Sequence, residues 1–96
     1  MADVLSGTNR MFDIKFTQHA IEDLQAFPKS EQQWIVSTLE SQLTLDAAQE
    51  TDDRKRLHPN GPAEWEIRLG QVRVFYDVDL EQGTVKIAAV GKKFYV

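Results

Sequence analysis

Ninety-six residues, 42% of them hydrophobic and 27% charged, have the balance of one globular domain and exclude a disordered chain. The absence of cysteine excludes disulfides, thiolate metal sites and cysteine nucleophiles, and fits a reducing cytoplasm. Eleven basic against fifteen acidic residues give a net charge of −4, so any nucleic-acid role must rest on a local basic patch.

No apolar run approaches the ~20 residues of a membrane span. The start, Met1 to Leu5, has neither the basic nor the apolar region of a secretory signal. The expectation is a cytoplasmic protein with no membrane partner. Residues 1–11 read as a small, polar, aperiodic leader to a domain over 12–96. Met11 stands directly before the first strong pattern and offers an alternative start.

Phe12, Ile14 and Phe16 alternate with Asp13, Lys15 and Thr17, which predicts a half-buried strand. Thr17 can cap a first helix, in which Ala20, Ile21, Leu24 and Phe27 recur at helical spacing. Pro28 stops it. Ser30-Glu31-Gln32-Gln33 fits a capping box and predicts a second helix over about 31–49. Ile35, Leu39 and Leu43 form its apolar stripe, flanked by Trp34 and Thr38. Both stripes read as core. Glu50 to Ala63 reads as a loop, with the turn cluster His58-Pro59-Asn60-Gly61-Pro62.

Three strands follow: Glu64 to Leu69, Val72 to Asp79 and Thr84 to Val90. Gly70-Gln71 suits a type II′ turn, which pairs Leu69 with Val72, Ile67 with Val74 and Trp65 with Tyr76. The turn Leu80 to Gly83 pairs Asp79 with Thr84, Val78 with Val85, Tyr76 with Ile87 and Val74 with Ala89. Both turns bring apolar residues to one face, so they support each other. The fold expected is α+β, in the order βααβββ. A helical hairpin packs on one face of an antiparallel sheet, and the first strand pairs with the second or third of the later ones.

Parity then fixes the other face. Arg68 lies across from Arg73, Glu66 from Phe75, Glu64 from Asp77, and Asp77 also from Lys86. Lys92 falls diagonally beside Arg73. Like charges directly opposite destabilise a sheet, and a broken local rule often marks a functional site.

The order of elements, with Phe16, Ala20 and Leu24, Lys55-Arg56-Leu57, the block Trp65 to Asp79 and Val90-Gly91-Lys92-Lys93, resembles the RelE/ParE superfamily of type II toxin–antitoxin toxins over about Phe12 to Tyr95. The resemblance implies a toxin inhibited by a cognate antitoxin that lays a helix or strand on its apolar surface. Ribonuclease members cut mRNA on the ribosome with no metal or cofactor, by attack of a 2′-hydroxyl on the adjacent phosphate. Other members bind DNA gyrase and cut nothing, and an inactive descendant would only bind antitoxin. Carried over, Arg73 matches the phosphate-binding arginine of the central strand and Arg68 a basic residue of the strand before it. Lys93 matches an arginine after the terminal Val-Gly-Lys, and Tyr95 a C-terminal catalytic tyrosine. Lys92, Arg56 and Lys55 are the further RNA-contacting candidates. Glu66 departs from the pattern: ribonuclease relatives often have lysine there, and a carboxylate would repel phosphate. The acidic net charge is a second departure.

Other constellations carry less. His58 reads as a loop histidine and His19 as the start of a helix. Asp77, Asp79 and Glu64 share a face, but Lys86 opposes Asp77 and no histidine joins them, so no metal site is expected. Glu50, Asp52 and Asp53 against Arg54, Lys55 and Arg56 read as a solvated charge switch, with Arg56 reaching the rim of the basic patch.

Overall fold

In the computed structural model, which describes residues 11–57 and 63–92, two helices pack on one five-stranded sheet. The elements are β1 (Asp13–Phe16), α1 (Gln18–Gln25), α2 (Lys29–Asp46), β2 (Arg54–Arg56), β3 (Trp65–Leu69), β4 (Val72–Asp79) and β5 (Thr84–Lys92). The sheet order is β1-β5-β4-β3-β2. Residues 1–10 of the leader, His58 with its turn cluster, Lys93 and Tyr95 lie outside the described residues.

Thr17 caps α1 as its sequence suggests. Its backbone is extended, and its hydroxyl accepts the Ala20 N–H at 3.1 Å, a cap that typically stabilises by ~1 kcal/mol. Ala20, Leu24 and Phe27 are buried, whereas Ile21 faces solvent. The second helix departs from expectation at both ends. It begins at Lys29, with Pro28 as N-cap and no side-chain cap, so Ser30 is already helical and its capping box is unused. The Gln32 side chain instead donates to the Phe27 carbonyl at 2.7 Å. The helix ends at Asp46 rather than at Gln49, where side chains from the sheet take up its carbonyls. The Tyr76 hydroxyl donates to Ala47 O at 2.8 Å, and Arg54 donates to Gln49 O at 3.0 Å and Gln42 O at 3.1 Å. Terminal helix carbonyls need partners, and a cation there also suits the helix dipole.

Arg54 explains the other missed element. Arg54, Lys55 and Arg56 form a strand rather than a solvated loop, paired antiparallel with Ile67, Glu66 and Trp65. Arg54 points inward and is only 3% exposed. Three cationic residues hide strand alternation from any reading of hydrophobicity.

The β3–β4 hairpin has the expected register, Trp65↔Tyr76 through Leu69↔Val72. Gly70 opens its turn at φ +64, the left-handed region that favours glycine. The β4–β5 hairpin also starts as expected, Asp79↔Thr84 to Tyr76↔Ile87. A bulge then intervenes: Phe75 faces Ala89 and Val74 faces Val90 rather than Ala89. Side chains of the α1 segment satisfy the backbone groups beside the extra residue. Thr17 Oγ1 donates to Ala88 O at 3.3 Å, and Asp23 Oδ2 accepts the Val90 N–H at 3.0 Å. The slip buries Val90 and moves everything after it to the other face.

Strand β1 pairs with β5, one of the two partners expected, but in parallel, so the sheet is mixed rather than purely antiparallel. Trp65, Ile67, Val74, Tyr76 and Ile87 meet Ala20, Leu24, Ile35, Leu39 and Leu43 in one buried core. Among the described residues the helices cover one face of the sheet and leave the other bare. Among the described residues no helix is long and apolar enough to cross a membrane.

Candidate functional site

Strand alternation decides which side chains reach the bare face. β2 sends Lys55 there, β3 sends Glu66 and Arg68, and β4 sends Arg73, Phe75 and Asp77. Arg68 and Arg73 are direct cross-strand partners, as the hairpin arithmetic requires. Glu66 lies between Lys55 on one side and Phe75 on the other, with Arg73 two residues along the neighbouring strand.

Glu66 is the unexpected centre of this group. It is only 9% exposed, and its Oε2 sits 3.2 Å from Arg73 Nε. Arg73 is therefore not a bare cation, although about a third of its side chain still reaches solvent. Both contacting atoms are shut off from solvent, and among the described residues neither makes a hydrogen bond. The approach is an ion-pair contact off the hydrogen-bond axis. Arg68 and Lys55 are exposed.

The same face has room beside Arg73. The β5 residues opposite Phe75 and Arg73 are Ala89 and Gly91, and a Cβ at Gly91 would meet nothing within 4 Å. Farther along, Lys86 faces Asp77 on β4 and Lys15 on β1. Asp77 also accepts the Glu64 N–H at 2.8 Å, which ties down the start of β3.

Two of the proposed RNA contacts belong elsewhere. Lys92 lies opposite Val72, not beside Arg73, because of the bulge. Its Nζ reaches Glu31 at 4.0 Å and sits 5.6 Å from the centre of the Phe27 ring, both on the helical side. Arg56 lies opposite Trp65, with its guanidinium 6.0 Å from that ring's centre. It is a rim residue of the core face, so it does not reach the rim of the basic patch. The structure thus brings together Lys55, Arg68 and Arg73 around Glu66. The signal for the slip was in the sequence: Val85, Ile87 and Val90 are spaced two and then three apart, which is one residue too many for a straight strand.

A family model described as ParE toxin of the type II toxin–antitoxin system parDE matches residues 14–93. A search among curated proteins finds no match. Among solved structures, the Mycobacterium tuberculosis RelBE2 toxin–antitoxin complex has a chain 24% identical, with TM-score 0.75, covering 86% of this chain and 92% of that one. The RelE–RelB complex of Pyrococcus horikoshii is similar at 22% identity and TM-score 0.64, over 90% and 99% of the two chains. The YoeB–YefM complex of Staphylococcus aureus matches at 27% identity and TM-score 0.62, over 88% and 98%. The family match spans most of the chain, and the βααβββ core with its mixed sheet has the RelE-like architecture, so the chain belongs to the ParE toxin family of type II toxin–antitoxin systems, within the RelE/ParE superfamily.

Proposed function

We propose that this toxin is a ribosome-dependent endoribonuclease that cuts mRNA without a metal, and that a cognate antitoxin holds it inactive. One observation carries the reading: a sheet face bare of helices presents Arg68 opposite Arg73, with Lys55 nearby and an open floor at Ala89 and Gly91. Cleavage by a 2′-hydroxyl needs cations where charge develops on the phosphoryl oxygens, and arginine meets phosphate with a planar fork of donors. The antitoxin is supported by the similar RelBE2 structure of Mycobacterium tuberculosis, which is a toxin–antitoxin complex. Lys93 and Tyr95 keep the roles the resemblance gives them, as a phosphate contact and an acid or base.

A second reading rests on the Glu66 contact. A carboxylate against Arg73 weakens the face as an anion site and favours a toxin that binds a protein such as gyrase and cuts nothing.

Induced expression followed by mapping of mRNA ends separates the two. Cuts within codons support the nuclease. Growth arrest with intact mRNA and altered DNA supercoiling supports the second reading, and no toxicity at all points to an inactive descendant. Within the nuclease reading, Arg73→Ala removes one charge-assisted contact, a loss of ~3 kcal/mol or about a hundredfold in rate. It also strands a nearly buried carboxylate, at about 1–3 kcal/mol of stability. Arg73→Lys is the control: it keeps a charge beside Glu66 and loses the fork. Cleavage that is unimpaired in both variants would remove Arg73 from the site.

A further inference from the structure

We infer that Glu66 is the general base of this toxin, accepting the ribose 2′-hydroxyl proton while Arg73 holds the adjacent phosphodiester; the inference rests on the nuclease reading. Three observations meet at this residue.

The first is hydrogen bonding. Nearly all buried polar atoms find a partner, and an exception calls for an explanation. Glu66 Oε2 and Arg73 Nε are such exceptions side by side, 3.2 Å apart and off axis. A salt bridge serving stability alone would settle into aligned hydrogen bonds, since aligned charge-assisted bonds are the strong ones. This pair leaves an acceptor and a donor unused within one contact. A ribose 2′-hydroxyl next to its own phosphodiester carries the complementary groups, a proton to give and an anion to place.

The second is charge. Lys55 on β2, Arg68 on β3 and Arg73 on β4 surround Glu66, while β5 contributes only the uncharged Ala89 and Gly91 nearby. On the other side of Glu66, Glu64 and Asp77 stand at the same two-residue distance, but Asp77 is engaged by the Glu64 N–H and faces Lys86. The surrounding cations draw the phosphate towards Glu66.

The third is the platform. Phe75 lies directly across from Glu66, half-buried on the bare face, with Ala89 on its other side. An aromatic ring flanked by a small residue suits stacking of an unpaired nucleobase. The ligand class is thus a single-stranded ribonucleotide.

In the step, Glu66 takes the 2′-hydroxyl proton as the 2′ oxygen bonds to phosphorus. The bond from phosphorus to the 5′ oxygen breaks, and that oxygen keeps the electron pair and takes a proton from water. The products are a 2′,3′-cyclic phosphate and a 5′-hydroxyl.

The test uses full-length toxin with translating ribosomes, and Glu66→Gln, which keeps the shape and removes the basic oxygen. Cleavage should fall at least about a hundredfold, the usual scale of general-base loss. Binding of a single-stranded RNA oligonucleotide should be unchanged or tighter. A rise of rate with pH, expected for the native protein, should flatten in the variant, and Glu66→Asp should restore part of the rate. Glu66→Lys, which would speed an enzyme whose carboxylate merely repelled phosphate, should stay slow. Melting curves show whether each variant is folded, and if Glu66→Gln does not fold, the rates of Glu66→Asp and Glu66→Lys carry the test. A folded Glu66→Gln or Glu66→Lys that cleaves at the native rate or faster overturns the assignment and makes Glu66 a mask over Arg73. Native toxin that leaves mRNA intact would instead overturn the nuclease reading itself.

Discussion

Tyr76→Phe isolates one oxygen atom at the joint between sheet and helix. The Tyr76 ring is fully buried against Trp65, with ring centres 6.1 Å apart, and the substitution leaves that packing in place. What goes is the 2.8 Å hydrogen bond to Ala47 O, just past the end of α2. A buried carbonyl that loses its donor costs ~1–2 kcal/mol. For a domain of 96 residues that lowers the melting temperature by about 5–15 °C. The pH dependence makes the test sharper. Burial pushes the phenol well above the ordinary tyrosine value, an effect that the nearby Arg54 charge partly offsets. The folded state therefore keeps its proton at pH values where the unfolded chain releases it. Stability from this group is intact below pH ~10 and is lost as pH rises further, by up to ~1.4 kcal/mol per unit. The variant has no such loss. Urea unfolding of both chains should show a gap of ~1–2 kcal/mol at pH 8 that nearly closes by about pH 11. Comparing the two chains cancels the lysines that titrate in the same range. A gap that stays constant with pH, or one that is absent at pH 8, would refute the account of this hydrogen bond.

Two further substitutions probe the cations that the fold sorts away from the bare face. Arg54→Met keeps the stem and removes the guanidinium from Gln42 and Gln49, so urea unfolding should show a loss of ~2–4 kcal/mol. Lys92→Ala removes one member of an exposed ion pair on the helical side and should change stability by less than ~0.5 kcal/mol. It should also leave toxicity unchanged; a loss of toxicity would place Lys92 back in the site.

The hairpins were legible because each turn had a residue that fixed it and each register had an apolar face to protect. Gly70 and Gly83 adopt the positive φ that their turns require, and a slip of one residue before Ile87 would have turned Val74, Tyr76 and Ile87 out of the core. What escaped was structure held by polar groups. β2 is a strand in which the inward residue is an arginine, and its anchors are carbonyls of a helix. The start of α2 has no side-chain cap; Gln32 reaches back across a proline to donate to the Phe27 carbonyl, while the Ser30 box stands unused inside the first turn. In both places hydrogen bonds substitute for the apolar pattern that a sequence displays.

The bulge shows how one residue decides the composition of a surface. In a straight β5, Lys92 would stand beside Arg73, and the bare face would carry an unbroken cationic row. With Ala88 as the extra residue, Val90 fills the core, Lys92 swings to Glu31, and Gly91 comes to lie opposite Arg73. The face loses a cation and gains space. The same slip sets Ala89 against Phe75, so the aromatic ring is flanked by a methyl group instead of a long side chain. If the ligand is the RNA proposed above, an acidic molecule gains little from one more lysine, since diffuse attraction is screened within ~8–10 Å at ordinary salt. On the proposed nuclease reading it gains more from a shaped site in which a carboxylate, an arginine and an aromatic ring are cross-strand neighbours. The like-charge pair of Arg68 and Arg73 is then tolerable in physical terms, because Glu66 beneath it supplies the counter-charge that the cross-strand rule appeared to lack.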